Sequence, residues 1–368
     1  MKNIVSYINE YGDKSFKEER INEVDYAILS ILSYINFDGI LYSNDIKVKL
    51  NEAIKEFFTI YTKKELNRHG FGLKDAYKII NELIDKKRYK DLELYNYVYI
   101  TDHEIQFSAM FIDIDKNNTF ISIEGTDDEV SGWKEDFELS YRYPIPAQEE
   151  CIRYLNKKIS LFSDRKYVIS GHSKGGNLAL VGAMNLNLLT QHKIKNIYSF
   201  DGPGLRKKEY GSYKFKYIQK RYISIIPNYS IVGLLLNNTD NYKIVSSYKK
   251  GLLAHSIYNW RITNNKFYYV RELSPFSVRF DEALSKWLDE LNDQEKEEVI
   301  TDIFSIFDRC NIESLESIHA ADIKAILSVV KESSNVSDKT REVVKDFINL
   351  LLTIVKDNAF AFIKSKQD

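Results

Sequence analysis

Residues 166 to 177 read K-Y-V-I-S-G-H-S-K-G-G-N, an apolar run that breaks at a serine flanked by glycines and resumes as N-L-A-L-V-G-A-M. Gly171-His172-Ser173-Lys174-Gly175 is thus a G-x-S-x-G pattern between a strand-like and a helix-like segment. In that context the glycines permit a sharp strand-to-helix turn, and the serine hydroxyl stands at the end of the strand in a strained backbone. The first amides of the following helix point at the same spot and can stabilise a developing oxyanion. The chemistry indicated is attack of Ser173 on a carbonyl, whereas the same pentapeptide without these flanks would be a turn or a helix cap.

A serine hydroxyl attacks only when a base removes its proton, so a histidine must be at hand. In the chain order Ser, acid, His, the histidines after Ser173 are His192, His255 and His319. His192 falls at the end of the helix that begins at the elbow, pointing away from the strand tops, and His319 lies in a late helical region. His255, in G-L-L-A-H-S-I-Y-N-W, occupies a loop ahead of the aromatic strand F-Y-Y-V at 267–270 and is the base by elimination. The carboxylates between Ser173 and His255 are Asp201, Glu209 and Asp240. Asp201, in F-D-G-P-G, follows an apolar strand at the same sheet edge as the elbow, though Asp before G-P is also good turn chemistry. Asp240, in N-N-T-D-N, is nearer in sequence to His255. Asp201 is narrowly preferred and Asp240 stays open. A second oxyanion donor is expected from a loop after an earlier strand; I-S-I-E-G-T ends such a strand with Gly125 and Thr126.

Several elements must position these groups. Val24, Ala27, Ile28, Ile31, Leu32 and Ile35 share one helical face, with Asn22 as a capping candidate, and Ala76, Ile79, Ile80, Leu83 and Ile84 repeat the pattern. From Asn96 the period changes to three β-branched and aromatic runs separated by polar turns. The later apolar runs at 167–170, 194–200 and 222–226 are spaced widely enough for helical crossovers, which implies parallel strands. After Phe276 the pattern is helical again, with Leu284, Trp287, Leu288 and Leu291 on one face and Ile300, Ile303, Phe304 and Phe307 on another; a polar break at 331–340 precedes a last helix. The fold class is α/β: a mixed, mostly parallel sheet flanked by helices. We divide the chain into a helical N-terminal segment, 1–95, packing on a core at 96–275, and a C-terminal helical extension, 276–368.

Composition narrows the function classes. Lys and Arg number 52 against 53 for Asp and Glu, a net charge of -1, so no basic field invites nucleic acid. The apolar run at 347–355 is about half of the roughly 20 residues a membrane span needs. The N-terminus lacks the features of a secretory signal, which predicts a cytoplasmic protein. The two cysteines, Cys151 and Cys310, are too few and too distant for a disulfide framework or a thiolate zinc site. With no H-E-x-x-H and no phosphate-binding glycine loop, neither metal nor organic cofactor is expected. Oligomeric state is not legible.

The motifs I-E-G-T with a downstream W-x-x-D, G-H-S-K-G-G-N-L-A and F-D-G-P-G together resemble the class 3 lipase-like branch of the α/β-hydrolase superfamily. With E-V-D-Y-A-I-L-S-I-L-S-Y at 23–34 and S-I-V-G-L-L at 230–235, the closer resemblance is to a bacterial family of lipase-like domains of unknown function, over roughly residues 20 to 275. The resemblance implies Ser173 as nucleophile, Thr126 as the oxyanion residue after glycine and His255 as base. It implies an acid in a D-x-V-P context after the next strand, where this chain has Ser230. Lys174 replaces the apolar residue usual after the nucleophile. A cation opposes the helix dipole there, so it is expected to turn to solvent, or else to pair with an acid; one hypothesis is that it favours an anionic substrate. The expected function is a serine hydrolase cleaving a carboxylic ester or thioester of a small molecule or lipid, with transient contact at a membrane surface, Asp201 orienting His255 and the Lys174 and Thr126 amides holding the oxyanion. The alternative is a non-catalytic binding or scaffold protein with a degenerate hydrolase fold.

Overall fold

The computed structural model describes residues 2–61, 71–101, 105–126, 130–239 and 242–310. The regular elements of the N-terminal segment are helices α1 (Ile4–Tyr11), α2 (Glu23–Ser30), α3 (Leu50–Ile60) and α4 (Phe71–Leu83), with one two-residue strand, β1 (Val48–Lys49), among the described residues. Asn22 caps α2 through Oδ1, which accepts from the amide of Val24 at 2.8 Å. The single helical face expected over residues 24–35 is broken: α2 ends at Ser30 and a 3-10 turn, Leu32–Tyr34, follows. The Ser30 hydroxyl donates to the Ala27 carbonyl and the Ser33 hydroxyl to the Ser30 carbonyl, at 2.7 and 3.1 Å. Such local side-chain bonds compete with the helical ladder.

β1 and strands β2 (Glu93–Thr101), β3 (Gln106–Asp113) and β4 (Asn118–Ile123) pair in succession, each antiparallel to the one before. From β4 the sheet becomes parallel through β5 (Lys166–His172), β6 (Ile194–Phe200), β7 (Tyr222–Pro227) and β8 (Lys243–Val245). The aromatic strand expected at 267–270 is two short ones. β9 (Ile262–Thr263) pairs with β10 (Lys266–Phe267), while β11 (Tyr269–Val270) closes the nine-stranded sheet against β8. Among the described residues, the intervening helices are α5 (Val130–Glu138), α6 (Pro146–Lys158), α7 (Lys174–Met184), α8 (Leu188–Gln191), α9 (Lys207–Tyr210) and α10 (Tyr213–Ile218).

Successive strand residues face opposite sides of a sheet, and here both sides are apolar. Ile112, Phe120, Val168 and Phe200 pack under the N-terminal helices with Trp260. Their neighbours Phe111, Ile121 and Ile169 pack under α6 and α7. The N-terminal helices therefore pack on one face of the sheet, together with Ile257, Trp260, Ile262 and Phe267. Burial on two faces is what a parallel sheet requires.

Helices α11 (Pro275–Glu290) and α12 (Asp293–Arg309) follow the sheet. α12 packs on α5 through Phe304 and Phe137, ring centroids 5.9 Å apart, and Arg206 binds Asp293 at 2.6 Å. The expected last helix, the apolar run at 347–355, His319 and the polar break at 331–340 lie outside the described residues, as does Asp240. Among the described residues no helix is long and apolar enough to cross a membrane.

Candidate active site

The elbow forms because two glycines let β5 and α7 meet at close range. A Cβ on Gly171 would lie 2.2 Å from the Gly175 carbonyl carbon, so a side chain at 171 would drive the helix off the strand. Between them Ser173 takes φ 57° and ψ -137°, a backbone conformation that non-glycine residues rarely adopt. It is held by its amide, which donates to the Phe200 carbonyl at 3.0 Å, and by its carbonyl, which accepts from Gly176 at 2.9 Å. Lys174 and its successors open α7, and the first amides of a helix have no acceptor within it.

Asp201 is the residue after that Phe200 carbonyl. It too is left-handed, φ 50°, and its amide donates to Ile225 in β7 at 2.8 Å. The carboxylate is fully buried and accepts on both oxygens. Oδ1 takes the Ser230 hydroxyl at 2.5 Å and the Gly233 amide at 3.1 Å, while Oδ2 lies 2.6 Å from Nδ1 of His255. Ser230, at the position where the resemblance implied an acid, thus serves the carboxylate that stands one strand earlier.

His255 sits between two 3-10 turns, Gly251–Ala254 and Ile257–Asn259. Its loop is pinned by the Trp260 indole donating to the Ala254 carbonyl at 2.9 Å, by Asn259 donating to Leu253 at 2.8 Å, and by Ser256 donating to Asp75 of α4 at 2.8 Å. The His255 ring packs on that of His172, centroids 4.4 Å apart. His172 precedes Ser173, so the His255 loop and the elbow are in contact. By contrast, His192 does not end the elbow helix: α7 stops at Met184, and His192 closes the separate helix α8 ahead of β6, where it meets the Tyr217 hydroxyl at 3.2 Å.

The loop after β4 lies against the elbow. A Cβ on Gly125 would come 2.4 Å from the His172 carbonyl and 3.0 Å from Cβ of Ser173, so only glycine lets the chain approach so closely. Next along, Thr126 is buried, and its hydroxyl donates to Oδ2 of Asp136 at 3.0 Å. Asp136, given no chemical role from sequence, is fully enclosed, and burial pushes its carboxyl up to about 7 against the pull of the Lys174 charge.

The expectation that Lys174 turns to solvent is wrong. Its side chain is 0% exposed and its ammonium bonds Glu135 of α5. Burial alone would lower its pKa, but the carboxylates of Glu135, Asp136 and Glu124 hold it above its ordinary value. A charge at a helix N-terminus can be buried only with a partner, and α5 supplies it. The ammonium is therefore engaged within the protein, which removes the basis for the anionic-substrate hypothesis.

Sequence reasoning missed two further residues. Nε2 of His172 lies 2.9 Å from the His255 carbonyl, and its Nδ1 lies 2.9 Å from the Tyr34 hydroxyl. His172 was visible inside the motif, but Tyr34 carries no local signal, being 138 positions away. Among the described residues no group of three or more His, Cys, Asp or Glu could hold a metal ion.

The Mbeg1-like family model matches residues 83–305, which span β2 to α12 and include every residue of this cluster except Tyr34 and Asp75. The chain belongs to the Mbeg1-like family. The Mbeg1-like segment carries a mixed sheet with a strand-turn-helix elbow at its centre. Similar solved structures include M37 lipase, at 18% identity over 59% of this chain and 70% of that one, with a TM-score of 0.36. A fungal lipase in complex with an inhibitor is 15% identical over 55% and 81%, with a TM-score of 0.33. A Rhizomucor miehei lipase deletion mutant with its propeptide is 13% identical over 63% and 73%, with a TM-score of 0.35. No curated protein matches the sequence.

Proposed function

We propose that the protein is a serine hydrolase of carboxylic esters, including lipid esters and thioesters, that works through Ser173, His255 and Asp201. The observation that carries this reading is the 2.6 Å contact between His255 and a fully buried Asp201, beside a left-handed serine at the strand-to-helix elbow. Ser173 Oγ attacks the carbonyl carbon as Nε2 of His255 takes its proton. Asp201 holds Nδ1–H, fixes the tautomer and stabilises the imidazolium. The amides of Lys174 and Thr126 receive the oxyanion. The imidazolium then protonates the departing alcohol or thiol, and water, deprotonated by the same histidine, releases the acid.

The scaffold alternative drew its main support from the serine at position 230. The bond from Ser230 to Asp201 weakens that argument, because the carboxylate is present and is held through the very residue that replaced it. A fluorophosphonate probe tests the reading. Labelling of the wild type and not of Ser173→Ala is expected, together with hydrolysis of p-nitrophenyl butyrate. A folded wild type that neither labels nor hydrolyses any short-chain ester would overturn it.

A further inference from the structure

Resting on the hydrolase reading, the geometry points to His172 as a positioning residue for the base, itself oriented by Tyr34 from the N-terminal helical segment. A carbonyl oxygen can only accept, so the 2.9 Å approach of His172 Nε2 to the His255 carbonyl puts the proton on Nε2. Nδ1 is then the acceptor, and the Tyr34 hydroxyl, 2.9 Å away, donates to it. That hydroxyl also lies 3.2 Å from the His172 carbonyl; with its single hydrogen engaged at Nδ1, this is a close approach and not a second bond. The donor and acceptor of the imidazole are thus both assigned by its neighbours.

The neutral ring this chain of bonds needs is also the one its surroundings favour. His172 is buried, and desolvation, then the charge of nearby His255, hold its pKa well below the ordinary histidine value, although its bond to the His255 carbonyl pulls the other way. A neutral His172 can lie 4.4 Å from the ring that becomes an imidazolium during turnover. Two facing cations could not.

The consequence concerns the backbone of the base. Asp201 orients the His255 ring from one side, whereas His172 fixes the His255 carbonyl and hence the loop from which that ring projects. Tyr34 lies outside residues 83–305, in the 3-10 turn behind α2. The covering segment therefore supplies an element of the site as well as one wall of the core.

The test has a spectroscopic arm and a kinetic arm. The Nδ1–H proton of His255, assigned by its loss in His255→Ala, is expected as a sharp downfield resonance in the wild type. It should disappear into solvent exchange in His172→Phe, persist in His172→Gln, whose amide can still donate to the carbonyl, and broaden in Tyr34→Phe. With p-nitrophenyl butyrate, His172→Phe should lower kcat about 100-fold, the order of loss for a misplaced reacting group, with KM within about twofold. Tyr34→Phe should lose about tenfold, as for one hydrogen bond, and His172→Gln should regain most of the loss. A resonance and a kcat unchanged in folded His172→Phe and Tyr34→Phe overturn the inference. Equal impairment of His172→Phe and His172→Gln overturns it too, by reducing His172 to a space-filling role. Should His172→Phe not fold, Tyr34→Phe and His172→Gln carry the same comparison. A wild type that fails to label but whose resonance still depends on His172 supports the positioning and overturns only the hydrolase reading.

Discussion

Nδ1 of His255 lies 2.6 Å from Oδ2 of Asp201, across 54 residues of chain. The other carboxylate oxygen is bonded to Ser230 and Gly233, so the aspartate enters the pair already oriented. If this pair does the proposed work, Asp201→Asn leaves the shape of the site intact but favours the wrong tautomer of His255. The expected loss in kcat is about 10⁴-fold, with KM little changed, measured by initial rates on p-nitrophenyl butyrate. A loss below about tenfold would mean that another carboxylate orients the base.

The loop after β7 supports Asp201 sterically as well as by hydrogen bonding. A Cβ at position 233 would sit 2.4 Å from Asp201 Oδ1 and 2.5 Å from a methyl of Ile226. Gly233→Ala should therefore push the carboxylate away from His255, lowering kcat at least tenfold and destabilising the fold by about 1–3 kcal/mol. Urea unfolding read alongside turnover checks both. Full activity in Gly233→Ala would show that this loop does not fix the acid.

The pair formed by Lys174 and Glu135 ties α5 to the first residue of α7, beside the elbow. Lys174→Met leaves a mostly buried carboxylate without its cation, and a loss of about 3–5 kcal/mol is expected. In the double variant Lys174→Met with Glu135→Leu the loss should largely vanish, since apolar replacement of both partners is often neutral. Thermal melts of the two single variants and the double one form the cycle. Additive losses would deny the coupling.

The parts of the fold read most easily from sequence are those whose signal is local. The G-x-S-x-G turn follows from two glycines between a strand and a helix, and the change from helical to strand period at residue 96 lies within three residues of the start of β2 at Glu93. His255 and Asp201 were selected by elimination and by position after a strand, and the chain brings them together. The burial of Lys174 was not legible, because its partner Glu135 lies 39 residues earlier and only the seating of α5 on the elbow makes solvent unavailable. Tyr34 was hidden for a similar reason: its helical pattern announces core packing, and one polar atom on an otherwise apolar face has no periodic signature. The helix at 24–35 was read as too long because serine side-chain bonds to backbone leave the apolar spacing untouched.

Asp136 gives the pH dependence a definite sign. Its carboxyl rises from 3.8 to about 7 on folding, chiefly through burial, while its oxygen accepts the Thr126 hydroxyl. Between those values the folded state binds the proton that the unfolded state has released, so stability falls as pH rises from about 4 to about 7 and levels off above. The penalty at neutral pH is at most about 4 kcal/mol, from roughly three units at 1.36 kcal/mol each. Asp136→Asn removes the titration yet keeps an acceptor for Thr126. Its melting temperature relative to the wild type should rise across the same window and be flat above it. A difference that is constant with pH would mean that folding leaves the Asp136 carboxyl unshifted, and one that grows toward acid would mean that Lys174 outweighs its burial.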